Sequence, residues 1–252
     1  DNEPPGTYLT DYLTDRAIAL IESHEDRQPF FLNLWYYSVH IPIQAKEALI
    51  EKYRVKAHEM GLDEVEPFEV GDVFPCEHKA DKRIVRRLIQ SDPVYAAMVE
   101  SVDTNIGRLL DALDRAGCAE DTVILFTSDN GGLATAEGSP TCNAPLAEGK
   151  GWMYEGGTRE PLLVKWPGVV EPGSTCSVPV TSPDFYPTML EIAGLDLRPR
   201  QHTDGVSLVP LLKGGEGLDR EAIFWHYPHY GNQGGTPGSS VRAGDYKLIE
   251  FF

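Results

Sequence analysis

Asp129 and Asn130 stand side by side at the end of an apolar run, residues 122–127, and are followed at once by Gly131 and Gly132. The two glycines let the backbone turn, so adjacent side chains can leave the up-and-down alternation of a strand and face one ligand. A carboxylate and an amide oxygen are hard donors suited to calcium, with magnesium the alternative. The same tetrapeptide is also ordinary Asx-turn chemistry. Lys150 lies between Gly149 and Gly151, ahead of YEGGTREP at residues 154–161. A lysine so flanked can bring ammonium and backbone close to an anion, although the spacing of a phosphate loop is absent; a solvated loop lysine is the plainer alternative. Arg159 in that stretch suits an ion pair with an internal carboxylate. His40 follows a second apolar run, where it can act as a general acid or donate to an anion, or be a satisfied loop histidine. His226 and His229, interleaved with Trp225, Tyr227 and Tyr230, suit stacking on a sugar or packing into a core. Asn143 joins them as a candidate for substrate binding.

These residues need a scaffold that brings strand ends together. Residues 10–22 carry apolar side chains at helical spacing, with Asp11 and Asp15 early, and predict an amphipathic helix. Residues 29–37 (PFFLNLWYY) are continuous, short and aromatic-rich, which predicts a strand buried on both faces. Pro93 opens a long helix with Tyr95, Met98, Val99, Val102, Ile106, Leu109, Leu110 and Leu113 on its apolar face and a stop at Gly117. Residues 122–127 predict a second buried strand, and Ser182-Pro183-Asp184 caps a helix that runs to Gly194. Residues 246–252 read as a strand. Strand and helix in alternation predict an α/β fold, a mixed, mainly parallel sheet sandwiched between helices, with ligands at the carboxyl ends of strands. Residues 55–92 are more polar and irregular and read as an insertion.

Composition narrows the function. The 252 residues hold 39 acids against 22 bases, a net charge of −17, and this balance disfavours nucleic acid and anionic membrane surfaces. No apolar run approaches the ~20 residues of a membrane span. Four widely spaced cysteines make neither a disulfide framework nor a zinc motif. Residues 1–7 lack the basic-then-apolar profile of a secretion signal.

Taken together, the order of FFLNLWYYSVHIP (residues 30–42), SDNGG (128–132), GKGWMYEGGTREP (149–161) and SPDFYPT (182–188) resembles the type I sulfatases, over nearly the whole chain and most weakly at 55–92. The resemblance implies the alkaline-phosphatase-like α/β sandwich, incomplete at both ends, and hydrolysis of a sulfate ester, either a glycan or a small aryl sulfate. It implies that Asp129 and Asn130 are two calcium ligands and that Lys150 and His40 are catalytic residues binding sulfate. Glu148 and Cys142 stand where relatives often carry other residues. It further implies an upstream Asp-Asp pair, a lysine, a histidine and a Cys/Ser-x-Pro-Ser-Arg motif whose first residue becomes the formylglycine nucleophile; that motif is not in this sequence. The chain therefore reads as the middle-to-late part of a sulfatase, inactive alone, with residues 1–220 in the catalytic domain and 221–252 opening a smaller C-terminal subdomain. A periplasmic or extracellular location is the family expectation. Two other functions stay open: a phosphate or phosphonate ester hydrolase of the same superfamily, and a non-catalytic anion- or glycan-binding module using His226 and His229.

Overall fold

The computed structural model describes residues 6–24 and 28–252; the reading of the first residues as lacking a secretion signal falls largely outside them. Helix α1 (Leu9–Glu22) turns Thr10, Thr14, Ala17 and Ile21 inward, as its spacing requires. It packs on α3 (Pro93–Arg115), which begins where the sequence places it. The Asp92 carboxylate accepts the Val94 and Tyr95 N–H groups, Pro93 occupies the first turn, and Gly117 follows with φ 68°. Ile21, Leu113 and Ala119 form a small core, with Ile124 packed against it. Helix α2 (Glu47–Glu59), which the polar character of its sequence concealed, also packs on α3 and buries only Ile50.

The segment 55–92 contains the antiparallel hairpin of β1 (Phe68–Val73) and β2 (Arg83–Arg87). Phe74, Cys76 and Ile84 from this segment form a second core with Leu133 and Ala136. Ile41 and Trp152 pack onto that core, so the hairpin lies directly under the loops that carry His40 and Lys150. Strands β3 (Ile124–Thr127) and β4 (Leu162–Lys165) pair antiparallel, Thr127 opposite Leu162, with α4 (Glu155–Thr158) between them in sequence.

Helix α5 (Phe185–Ile192) follows a tight 3-10 turn, Ser182–Asp184, whose cap is Thr181 rather than the expected Ser182. Thr181 and Asp184 form a reciprocal capping box, and the fully buried Asp184 carboxylate also accepts from Val206 N–H and the Arg220 guanidinium. Short helix α6 (Val209–Leu212) follows. Strands β5 (Ile223–Tyr227), β6 (Gly238–Ala243) and β7 (Tyr246–Phe251) close the chain as an antiparallel sheet. Glu155 at the start of α4 ties this sheet down by accepting from Arg242 and Lys247 at 3.2 and 3.1 Å.

Two strand expectations are corrected. Residues 29–37 form no strand: Phe31 and Trp35 are 70% and 78% exposed. A strand is stabilised by a backbone ladder, and this segment is instead held through side chains, with Tyr36 bonded to Thr14 and Ser38 to Thr10. Strand β3 is partly exposed rather than buried on both faces, because the only strand paired with it among the described residues is β4. All sheet pairings among the described residues are antiparallel.

Candidate functional site

Lys150 Nζ lies 3.0 Å from His40 Nε2, although 110 residues separate them in sequence. The His40 ring is oriented locally. Its Nδ1 sits 2.7 Å from the Ile41 carbonyl, which can only accept, so Nδ1 carries the proton and Nε2 presents its lone pair to the Lys150 ammonium. The Tyr37 ring lies 5.3 Å away, and its hydroxyl donates to the same carbonyl. Lys150 is half-buried and His40 is exposed, so both are accessible from solvent.

Backbone contacts bring the Lys150 loop onto the Asp129 turn. Lys150 N–H donates to Gly132 O at 3.1 Å, and Gly131 N–H donates to Gly157 O at 3.3 Å. This approach is why glycine recurs: a Cβ on Gly149 would stand 2.2 Å from Gly132 O, and one on Gly131 would stand 1.7 Å from Gly156 O. Asn143 completes the junction. Its Oδ1 accepts from Gly132 N–H while its Nδ2 donates to Gly132 O and Glu148 O. Both ends of the amide are thus engaged with the chain, an arrangement that stitches the two turns together.

Asn130 Nδ2 donates to Gly131 O, which commits the amide nitrogen inward and leaves the oxygen as the group able to ligate. Beside Asp129 lies Glu160, half-buried, with Oε1 buried and unpartnered. Burial, and next the Asp129 charge, raise its pKa to about 7. Two carboxyl groups and an amide oxygen have the chemistry of hard-cation ligands, yet they fall short of the roughly six to eight oxygens calcium takes. Among the described residues, no three His, Cys, Asp or Glu side chains converge as a metal centre.

The remaining candidates lie elsewhere. His226, on β5, hydrogen-bonds Ser239 at 2.7 Å across the exposed side of the C-terminal sheet. His229 stacks edge-on with Tyr227 at 5.2 Å. Neither is joined to Lys150 by any hydrogen bond among the described residues. Arg159 is 63% exposed, its nearest carboxylate, Glu155, 3.9 Å away. Sequence reasoning missed Glu160 and Arg86 entirely. The first carried a signal, since it is an acid three residues past the Gly-Gly pair in the same stretch as Lys150; the second, in a polar segment far from any motif, carried none.

The sequence and the architecture have matches among known proteins. The Sulfatase family profile matches residues 1–195, and that of the N-sulphoglucosamine sulphohydrolase C-terminal region matches residues 148–252. The chain belongs to the sulfatase family, with its alkaline-phosphatase-like fold. It is 35% identical over 248 residues to a sulfatase of Formosa agariphila, covering 93% of this chain and 39% of that protein. Human arylsulfatase A is 39% identical over 151 residues, covering 60% of this chain and 29% of that one. Among solved structures, Ps i-CgsB in complex with k-i-k-neocarrahexaose is 27% identical, with a TM-score of 0.73 over 97% of this chain and 46% of its own. The chain thus spans about two fifths of the Formosa relative. No helix among the described residues is long and apolar enough to cross a membrane.

Proposed function

We propose that the protein carrying this chain hydrolyses sulfate esters, with Lys150 and His40 as the groups that bind the sulfate. The observation that carries this reading is the 3.0 Å approach of those two side chains beside the Asp129 turn, in a chain of the sulfatase family. The Lys150 ammonium neutralises a sulfate oxygen and holds the group in place. His40, with Nδ1–H fixed on Ile41 O, donates to a sulfate oxygen once Nε2 has taken a proton, and the imidazolium so formed can return that proton to the leaving oxygen. Asp129 and Asn130 would hold calcium, or magnesium in its place, through their side-chain oxygens. That cation, when bound, supplies charge stabilisation to the attacking and sulfate oxygens. The formylglycine motif of the family is not in these residues, and the attacking group is read as coming from outside them.

A sulfated glycan is the preferred substrate class. The oligosaccharide complex of Ps i-CgsB and the exposed aromatic and histidine side chains of residues 226–230 support it, with His226, His229 and Asn143 proposed toward the sugar. Asn143 would act there chiefly by holding the junction. Residues 1–220 are read as catalytic domain and 221–252 as the start of a smaller subdomain, and export from the cytoplasm is proposed with them.

The test is hydrolysis of an aryl sulfate and of sulfated oligosaccharides by the purified full-length protein. Turnover that falls about 10²- to 10³-fold in both Lys150→Ala and His40→Ala is expected. Turnover unchanged in both variants, or phosphate monoesters cleaved in preference to sulfates, would reject the reading.

A further inference from the structure

Glu148 is a carboxylate two residues before the sulfate-facing lysine, and a flexible ammonium would ordinarily pair with it. The fold prevents this. Glu148 has φ 61°, a left-handed conformation uncommon outside glycine, and its carboxylate is held by another cation. Its carboxylate is 14% exposed, and Arg86 Nε donates to both oxygens at 2.8 and 2.9 Å. The guanidinium lies over the Trp152 ring, 5.7 Å from its centre. Arg86 is itself firmly placed. It pairs with Glu69 in the β1–β2 register, and its guanidinium passes over Gly71, where a Cβ would stand 2.2 Å from Nη1 and the arginine would have to shift. The adjoining Arg87 is anchored to the loop under the site, its backbone N–H to Ala134 O at 2.9 Å and its Nε to Ser139 O at 2.5 Å. Nothing else in the region 55–92 reaches Glu148 by hydrogen bond among the described residues.

We infer that Arg86 is a positioning residue for Lys150: by engaging the Glu148 carboxylate it removes a competing partner and leaves the ammonium to His40 and to the substrate anion. This rests on the reading of Lys150 as the sulfate-binding lysine. Without Arg86, a largely buried and unpaired carboxylate would draw Lys150 back toward itself. The β1–β2 hairpin then serves the site through charge as well as through the core beneath it.

The test reads Lys150 directly, in the full-length protein carrying this chain, by reductive 13C-methylation of lysines with the Lys150 signal assigned from its loss in Lys150→Arg. In the wild type, His40→Ala should shift that signal. In Arg86→Gln the signal should move and cease to respond to His40→Ala, and adding Glu148→Gln should restore both position and response. Sulfate-ester kcat/KM should fall up to about 10²-fold in Arg86→Gln and recover in the double variant. A Lys150 signal in Arg86→Gln that matches the wild type, or one that Glu148→Gln does not restore, overturns the proposal. If Arg86→Gln fails to fold, Glu148→Gln alone decides. It should preserve the response to His40→Ala, and loss of that response would show Glu148 to be a support rather than a competitor. Absence of sulfatase turnover with the methyl-lysine pattern intact would reject the sulfate reading and leave the positioning role standing.

Discussion

The two halves of the site are built in opposite ways. Lys150 and His40 come from loops 110 residues apart and meet only because both loops rest on one apolar core, Phe74, Cys76, Ile84, Leu133 and Ala136. Asp129 and Asn130 are neighbours in sequence, yet the carboxylate is exposed, the amide nitrogen is turned onto Gly131, and the nearest additional acid, Glu160, is raised toward neutrality. The first half has its partners within the chain and is assembled. The second offers donors in the right chemistry but too few of them. Proximity in sequence is therefore a poor guide to which pair is complete; what decides is whether the partners are present to be packed.

The largest effect should separate the halves. In the full-length protein Asp129→Ala should remove both bound calcium and turnover, whereas this chain alone should bind calcium weakly by calorimetry, since two or three side-chain oxygens are far short of a coordination shell. Tight binding to the isolated chain would erase the contrast. Next, Lys150→Ala should lower kcat about 10²- to 10³-fold while leaving calcium content unchanged; metal lost from that variant would mean the halves are not independent. Gly131→Ala should cost about 1–3 kcal/mol in chemical denaturation, because its Cβ would drive into the Gly156 carbonyl. A neutral result would show that the loop junction yields easily.

The smallest effect concerns Glu160. Its acid form is favoured in the folded state up to about pH 7 against the ordinary 4.5, so between those values the folded chain keeps a proton that the unfolded chain has lost. Stability should therefore fall as pH rises through that window and stay lower above it. With no divalent cation present, Glu160→Gln should raise Tm at pH 8 and leave it nearly unchanged at pH 4, by about 1 kcal/mol once solvent screening of this half-exposed group is allowed for. Equal Tm-against-pH curves for the two proteins would show that neither burial nor the Asp129 charge raises the Glu160 pKa in the folded chain.

The 252 residues by themselves determined the local elements and the inventory of the site. Helix α3 could be read because its apolar spacing, the Pro93 start and the Gly117 stop are all short-range physics; the cap at Ser182-Pro183-Asp184 could be read for the same reason, one residue off, since the capping hydroxyl belongs to Thr181. Asp129, Asn130, Lys150 and His40 could be nominated because their types and glycine neighbours speak for hard-cation and anion chemistry. Tertiary structure alone decided the rest. The run at residues 29–37 has the composition of a buried strand, but a strand exists only where another backbone completes its ladder, and here Thr14 and Thr10 hold it by side chains instead. The polar segment 55–92 showed no periodic signal, yet three of its apolar residues pack into the core beneath the site and its Arg86 meets Glu148, 62 positions away. Periodicity and capping are written within a few residues of each other and survive in a linear reading. An ion pair across 62 residues, or a lysine brought to a histidine across 110, depends on how several elements pack at once, and packing is a property of the folded chain rather than of any stretch of it.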